Sequence, residues 1–164
     1  MKYIQEYRDS KLSRSIIARI AAMDNRPVRL MEVCGTHTVA IFRNGIRTVL
    51  PHAVSLISGP GCPVCVTDQK EIDTAIALAG KKDTIVATFG DLIRVPGTFS
   101  SLQKEQAAGC DIRVVYSAFD ALDLARQNPE KKVVFLGVGF ETTAPTIAAS
   151  VLAAEKSGLD NFFV

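Results

Sequence analysis

The amino-acid sequence predicts a doubly wound α/β protein, with mainly parallel sheets and helices on both faces of each sheet. Five short segments are rich in β-branched residues and apolar on both sides, as is typical of strands buried in a parallel sheet. Segments with helical spacing of apolar residues lie between them, so strand and helix alternate along the chain. With 164 residues, of which 48% are hydrophobic, the chain is large enough to bury a core.

The predicted strands follow the apolar runs in chain order. The first helix precedes them, because apolar residues recur at helical spacing between residues 12 and 20. The five strands are then residues 28–33, 53–58, 83–89, 111–116 and 132–138.

Residues typical of helix ends mark the later helices. Asp68 and Glu71 resemble a capping box, and Gly80 is expected to end the helix that they open. Ser100 is expected to begin the next helix, which ends at Gly109. The last two predicted helices are residues 117–128 and 143–157.

We expect this chain to form two Rossmann-like lobes. The first covers residues 1–100 and carries the cysteine motifs, and the second begins at residue 101 and is incomplete at residue 164. Residues 161–164 read as the first half of a further strand, and a domain seldom ends inside a buried strand. The sequence is therefore expected to be an N-terminal fragment of a longer protein.

Composition argues against several classes of function. The net charge is +2 and no basic block is present, so nucleic acid is not an expected partner. The apolar runs are too short to span a membrane, and the polar start of the chain lacks the apolar core of a signal peptide. We therefore expect a cytoplasmic protein whose four cysteines are reduced and serve metal binding or redox chemistry.

A Gly/Pro-rich turn with paired thiols follows the second strand. Cys62 and Cys65 are separated by two residues, a spacing that lets both thiols bind one metal or form a short disulfide. Gly59 and Gly61 permit backbone angles that other residues avoid. The alternative is a tight loop whose cysteines pack as small apolar side chains.

A second thiol motif follows the first strand. Cys34 and His37 form a Cys-x-x-His pair, and Thr36 is expected to cap the helix that comes next. His37 could bind metal, relay protons or hydrogen-bond a thiolate. An ordinary polar histidine beside a helix cap remains an equally good interpretation of this pair alone.

Together the two motifs could form a tetrahedral zinc site. The flanking sequence already predicts a packed core, which argues against a zinc ion that only stabilises the fold. A thioredoxin-like oxidoreductase that uses Cys62 and Cys65 is a further alternative. Cys110 and His52 have no motif around them, and Cys110 is expected to be structural.

Another glycine turn, residues 137–143, follows the fifth predicted strand. It could hold an anion at the start of a helix, although it lacks the third glycine of a dinucleotide-binding fingerprint. Glu141 in this turn is expected to contact a ligand or partner. A purely structural turn is the alternative.

Four motifs in order resemble the HypD family, whose members mature nickel–iron hydrogenases. They are Met-Glu-Val-Cys-Gly-Thr-His at 31–37, Ser-Gly-Pro-Gly-Cys-Pro-Val-Cys at 58–65, Thr-Phe-Gly-Asp at 88–91 with Arg-Val-Pro-Gly at 94–97, and Gly-Val-Gly-Phe-Glu-Thr-Thr-Ala-Pro at 137–145. The resemblance extends from about residue 10 to the end of the chain.

The resemblance implies a scaffold for the iron–dicyano–carbonyl unit of the hydrogenase, rather than a free-standing turnover enzyme. Cys34 matches the family's proposed iron ligand, and Cys62 and Cys65 match a thiol pair that relays electrons to it. His37 belongs to the same site with a less defined role. Gly59, Gly61 and Glu141 are expected to contact the bound unit or a partner.

The resemblance also implies partners and a second cofactor. A HypC-like chaperone would share the iron, and a HypE-like protein would supply cyanide. Full-length members carry a 4Fe–4S cluster near their C-terminus, in a region that this sequence does not include. A cluster of this kind needs about four thiolates, so it is not assigned to the cysteines of this chain.

Overall fold

The computed structural model describes residues 8–23 and 26–164, so part of the polar N-terminal segment considered above lies outside the described residues. The chain divides into two compact units, Met1–Gly61 and Cys62–Val164. The elements in chain order are α1 (Ser10–Ala21), β1 (Val28–Glu32), α2 (Gly35–Arg43), α3 (Ile46–Val49), β2 (Val54–Ser58), α4 (Pro63–Val66), α5 (Gln69–Ala79), β3 (Thr84–Thr88), α6 (Leu102–Ala107), β4 (Ile112–Val114), α7 (Ala118–Gln127), β5 (Lys132–Phe135), a 3-10 turn (Glu141–Thr143), α8 (Ala144–Lys156) and β6 (Phe162–Phe163).

The first unit contains a two-stranded parallel sheet. β1 and β2 pair in register, from Val28 opposite Val54 to Glu32 opposite Ser58. Because the strands are parallel and in register, their carboxyl ends lie at the same edge of the sheet. The chain segments that leave β1 and β2 therefore start side by side.

Apolar residues on both faces of β1 are exposed. Leu30 is 51% exposed and Met31 is 58% exposed, although adjacent residues of a strand point to opposite faces. The prediction that strand 28–33 is buried on both faces is therefore wrong, while its place in a parallel sheet is confirmed. The physical reason is that few side chains pack against the faces of this two-stranded sheet, and the core clusters lie in the second unit. Glu32, at the end of β1, is buried instead.

The second unit is built on a four-stranded parallel sheet with the order β4-β3-β5-β6. β3 is buried along its whole length. The last strand, Phe162–Phe163, pairs with β5, so residues near the end of the sequence do form the strand that was predicted there.

Helices cover both faces of this sheet. On one face Ile85, Ala87 and Phe135 pack against the alanines of α7, with Ile147 of α8 beside them. On the other face Val86 and Ile112 pack against alanines of α5 and Leu102 of α6. The doubly wound α/β class is thereby confirmed, because alternate residues of each strand bury against opposite helical layers.

Several helix ends agree with the sequence-based predictions. Asp68 caps α5 by accepting a hydrogen bond from the Lys70 amide at 2.8 Å, and Gly80 ends that helix. The expected capping box is incomplete, because among the described residues no bond from Glu71 back to Asp68 accompanies this cap. Ser117 caps α7, where Asp120 completes a capping box. The predicted cap of α6 is wrong by one residue, since Ser101 caps it and the Ser100 hydroxyl donates to Glu105 instead.

The strand order of the second unit reverses at β3. The connection after β3 leads to β4 on one side, and β5 lies on the other side. The motif at residues 88–91 and the glycine turn at 137–143 therefore leave neighbouring strands at the carboxyl edge, where doubly wound sheets form a crevice.

The division after Gly61 differs from the expected lobes of 1–100 and 101–164. β3 pairs with both β4 and β5, so residues 84–135 share one sheet and the position near residue 100 lies inside the second unit. Among the described residues, no helix has the length and apolar character needed to cross a membrane.

Candidate thiol and metal site

Cys34 stands where β1 passes into α2. Its backbone is extended, with φ −149° and ψ 127°, and it is the N-cap residue of α2. Its carbonyl oxygen accepts hydrogen bonds from the Thr38 amide at 3.1 Å and from the Thr38 hydroxyl at 3.3 Å. The prediction that Thr36 is the cap is wrong, because the helix begins at Gly35 and already contains Thr36. The half-buried Cys34 thiol therefore lies at the edge of the sheet, at the start of the helix.

His37 lies in the first turn of α2 and is exposed. In the part of the chain that the structure describes, the candidate metal-binding group consists of cysteines and does not include His37. Its roles as a ligand or a proton relay remain predictions.

The Gly/Pro-rich turn starts at the same edge of the sheet as Cys34. The Gly59 amide donates a hydrogen bond to the Glu32 carbonyl at 2.7 Å, which continues the strand pairing by one residue. A Cβ atom at position 59 would lie 2.5 Å from that carbonyl oxygen and 2.6 Å from Cγ of Met31. Gly59 is required because no side chain fits between the turn and β1. Gly61 ends the first unit and is half-buried.

A buried carboxylate and an arginine join the ends of the two strands. Arg47 of α3 donates from Nη2 to Oε1 of Glu32 at 2.9 Å, and the same nitrogen reaches the Ser58 hydroxyl at 3.3 Å. The Glu32 side chain is only 4% exposed, whereas that of Arg47 is 44% exposed. Sequence reasoning did not assign either residue a role, although a charged residue inside the apolar run 28–33 was a signal for a buried partner.

The environment of Glu32 lowers the pKa of its carboxyl below the ordinary value of 4.5. The neighbouring Thr38 hydroxyl contributes most, desolvation acts in the opposite direction, and Arg47 and Ser58 lower the pKa further. Oε2 of Glu32 is buried, and no hydrogen bond of standard geometry reaches it among the described residues. Glu32 is therefore an ionised carboxylate held beside the residue that carries the first thiol.

The second unit begins with the paired cysteines. Cys62 is the N-cap residue of α4, and Pro63 occupies the first helical turn. The Cys65 amide donates to the Cys62 carbonyl at 2.9 Å, so one turn of helix brings the two sulfur atoms to 3.3 Å. The two residues are not joined by a disulfide, and Cys62 is half-buried while Cys65 is exposed. The pair can therefore oxidise reversibly or offer two thiolates to one metal.

Within the described residues, the candidate thiol ligands for a metal are Cys34 of the first unit and Cys62 and Cys65 of the second. Along the chain, Cys34 follows the end of β1 and Cys62 follows the turn that leaves β2. Thiolates are soft ligands that suit iron and zinc.

The glycine turn after β5 places Glu141 on the surface, in a 3-10 turn before α8. Gly139 is needed for close packing here, because a Cβ atom would collide with the Thr143 side chain. This close approach accounts for the glycine structurally. The expected role of Glu141 toward a ligand or partner remains a prediction.

Cys110 lies apart from the thiol motifs in sequence and packs against the core of the second unit. Its sulfur lies 4.0 Å from Oε2 of Glu105, and it precedes β4. His52 is exposed in the turn before β2. That neither residue takes part in the thiol site remains a prediction.

Comparison with known proteins assigns the chain to a family. The model described as "HypD: Hydrogenase formation hypA family" matches residues 11–164. The chain is 47% identical over 171 residues to a protein named hydrogenase maturation factor HypD from Rhodobacter capsulatus, covering 100% of this chain and 45% of that protein. It is 50% identical over 167 residues to a protein of the same name from Rhizobium leguminosarum bv. viciae, covering 100% of this chain and 43% of that protein. The protein of the same name from Escherichia coli (strain K12) is 45% identical over 170 residues, covering 99% of this chain and 46% of that protein. The chain thus spans less than half the length of these relatives, and it belongs to the HypD family of hydrogenase maturation factors.

Proposed function

We propose that this chain is the iron-carrying part of a hydrogenase maturation scaffold. Its relatives are named as hydrogenase maturation factors, and it aligns with less than half of each. The activity of the whole protein, its cargo and its partners are therefore inferences for this chain. We place the protein in the cytoplasm, where thiols stay reduced.

Iron enters as cargo, in the form of the iron–dicyano–carbonyl unit, and Cys34 anchors it. The observation that carries this proposal is the in-register pairing of β1 and β2, which starts the Cys34 segment and the Gly59–Gly61 turn at one edge of a sheet. A thiolate is a soft donor that suits low-valent iron. Gly59 and Gly61 let backbone approach the cargo closely, and His37 could hydrogen-bond a ligand of the iron from α2.

Cys62 and Cys65 serve as the redox pair. Oxidation of the two thiols to a disulfide releases two electrons and two protons, and the electrons reduce the cyano group that the donor transfers, which arrives at the CN⁺ level and binds the iron as cyanide. The sulfur separation of 3.3 Å supports this role, because bond formation needs side-chain rotation and no rearrangement of the helical turn.

The 4Fe–4S cluster of the family is expected outside this chain. Such a cluster takes about four thiolates, whereas the candidate group here has three and Cys110 packs against the core. A cluster bound by the remaining part of a full-length protein would re-reduce the disulfide. A HypC-like chaperone would supply a further iron ligand, and a HypE-like protein would donate cyanide, with Glu141 a candidate partner contact.

Anaerobic co-purification with a HypC-like chaperone tests the proposal. We expect iron together with infrared bands of bound cyanide and carbon monoxide, and we expect Cys34→Ser to lose both. Cys110→Ser is the matched control and should keep them. Stoichiometric zinc without those bands would support the structural-zinc alternative, and full iron retention in Cys34→Ser would refute the assignment of Cys34. Turnover of generic disulfide substrates would instead favour a thioredoxin-like oxidoreductase.

A further inference from the structure

We propose that Glu32 and Arg47 are positioning residues that fix the Cys34 segment and the Gly59–Gly61 turn at the carboxyl edge of the β1–β2 sheet. This inference rests on the proposed function, because what they hold in place is the start of each segment that bears a proposed thiol ligand. Neither residue needs to touch the iron.

The side chains connect the last residues of the two strands. Glu32 and Ser58 are register partners at the ends of β1 and β2. One nitrogen of Arg47 lies 2.9 Å from the Glu32 carboxylate and 3.3 Å from the Ser58 hydroxyl. A single guanidinium on α3 therefore holds both strand ends.

The backbone adds a second connection at the same point. The Glu32 carbonyl accepts the Gly59 amide at 2.7 Å, immediately before the turn that leads to Cys62. Cys34 is two residues beyond Glu32 along the chain. A change in the orientation of Glu32 would therefore move the starts of both segments together.

Energetics favour a positional role over a purely stabilising one. The Glu32 side chain is 4% exposed, and its Oε2 is buried with no hydrogen-bond partner in the described part of the chain. An ion pair between a buried carboxylate and a half-exposed guanidinium adds little net stability, because desolvation of Glu32 and solvent screening of Arg47 offset the charge attraction. An incompletely satisfied carboxylate in a unit with few buried side chains calls for a role other than stability.

The test compares Glu32→Gln, Arg47→Gln and Arg47→Lys with the wild-type chain under anaerobic conditions. Co²⁺ is the probe, followed by its thiolate charge-transfer absorption, and hydrogen exchange reports the Gly59 amide. Arg126→Gln is the matched control, because Arg126 forms a 2.8 Å ion pair with Asp123 on the exposed surface of α7. The free energy of unfolding is measured for every variant.

We expect Glu32→Gln and Arg47→Gln to weaken Co²⁺ binding about 10–100-fold, as is usual for residues that orient metal ligands. Hydrogen exchange of the Gly59 amide should accelerate in both variants. Arg47→Lys should bind Co²⁺ more tightly than Arg47→Gln does, and Arg126→Gln should bind it as the wild type does. Wild-type Co²⁺ affinity in Glu32→Gln, with Gly59 still protected, would overturn the inference. So would a loss of unfolding free energy with unchanged affinity.

The two proposals fail in different ways. If Cys34→Ser binds Co²⁺ as the wild type does, the proposed function fails whatever Glu32 does. If the wild-type chain binds no Co²⁺, Gly59 exchange still decides whether Glu32 and Arg47 hold the turn. If Glu32→Gln does not fold, the comparison of Arg47→Gln with Arg47→Lys still shows whether the ion pair holds the turn.

Discussion

The sulfur atoms of Cys62 and Cys65 lie 3.3 Å apart, at the two ends of one helical turn. A disulfide bond is about 2.05 Å long, so rotation of the two side chains is sufficient to form it. Their different exposure makes Cys65 the accessible thiol and Cys62 its half-buried partner. This arrangement predicts a specific oxidation product.

Mild oxidation of the metal-free chain is expected to join Cys62 to Cys65 and to leave Cys34 and Cys110 titratable, because one helical turn holds the first two sulfur atoms together. Thiol titration and peptide mapping measure this outcome. Cys110→Ser should be oxidised as the wild type is. Cys65→Ser should lose the rapid phase of thiol oxidation. Mapping of a Cys34–Cys62 disulfide as the main product would contradict the prediction.

Replacement of Gly59 by Ala is expected to destabilise the first unit by about 1–3 kcal/mol, the usual cost of overpacking. The added Cβ atom would lie 2.5 Å from the Glu32 carbonyl oxygen and would break the hydrogen bond that begins the turn. Urea unfolding measures the change.

Gly80→Ala is the matched control for this substitution. Its Cβ atom would lie 3.7 Å from the nearest heavy atom, an ordinary van der Waals distance, and the backbone there is helical. It should be neutral or stabilising by up to about 1 kcal/mol, because alanine restricts the unfolded chain. Equal stability changes for the two substitutions would show that the turn does not need a glycine.

Asn161 is expected to be important for the stability of the second unit. The Nδ2 atom of its buried side-chain amide lies 2.9 Å from the carbonyl oxygen of Ala125 and 3.0 Å from those of Asn128 and Lys131, so its two hydrogens are shared among three acceptors. Asn161→Leu leaves these acceptors without their donor and should cost about 2–4 kcal/mol in urea unfolding. The exposed Asn44→Ala, which removes one helix-end hydrogen bond, should cost less. A change within about 0.5 kcal/mol for Asn161→Leu would contradict the prediction.

The stability of the second unit is expected to depend on the ionisation of Asp73. Its carboxylate accepts hydrogen bonds from the Thr98 amide at 2.7 Å and the Thr98 hydroxyl at 2.6 Å. These bonds hold the pKa of Asp73 below its ordinary value of 3.8, with the Thr98 hydroxyl contributing most. Because the folded-state pKa is the lower one, the stabilisation is present above pH 3.8 and is lost as the pH falls through the folded-state pKa.

Comparison of Asp73→Asn with the wild type measures this dependence. We expect the difference in unfolding free energy to be largest at neutral pH and to shrink in acid, once the wild-type carboxyl is protonated. Asp123→Asn, which affects an exposed surface pair, should change the unfolding free energy less at neutral pH. A difference between wild type and Asp73→Asn that grows as the pH falls would contradict the sign of the effect.

Local patterns predicted the elements of this fold well. The β-branched runs at residues 83–89 and 132–138 correctly located β3 and β5, and Asp68, Gly80 and Ser117 correctly marked helix ends. These features depend on propensity and hydrogen bonds within a few residues, so they are readable from sequence. The thiol motifs were found for the same reason, because each lies within eight consecutive residues.

By itself, the sequence determined the alternation of strands and helices, the doubly wound class, the resemblance to one family and the identity of the thiols. Only the tertiary structure decided the β1–β2 register, the burial of Glu32 against Arg47, the cap at Cys34 and the division after Gly61. The physical reason is the separation along the sequence between the residues that interact. Helix and strand preferences arise from neighbouring residues, whereas burial and pairing depend on residues that are distant in sequence, such as Glu32, Arg47 and Ser58, which meet only when the sheet forms.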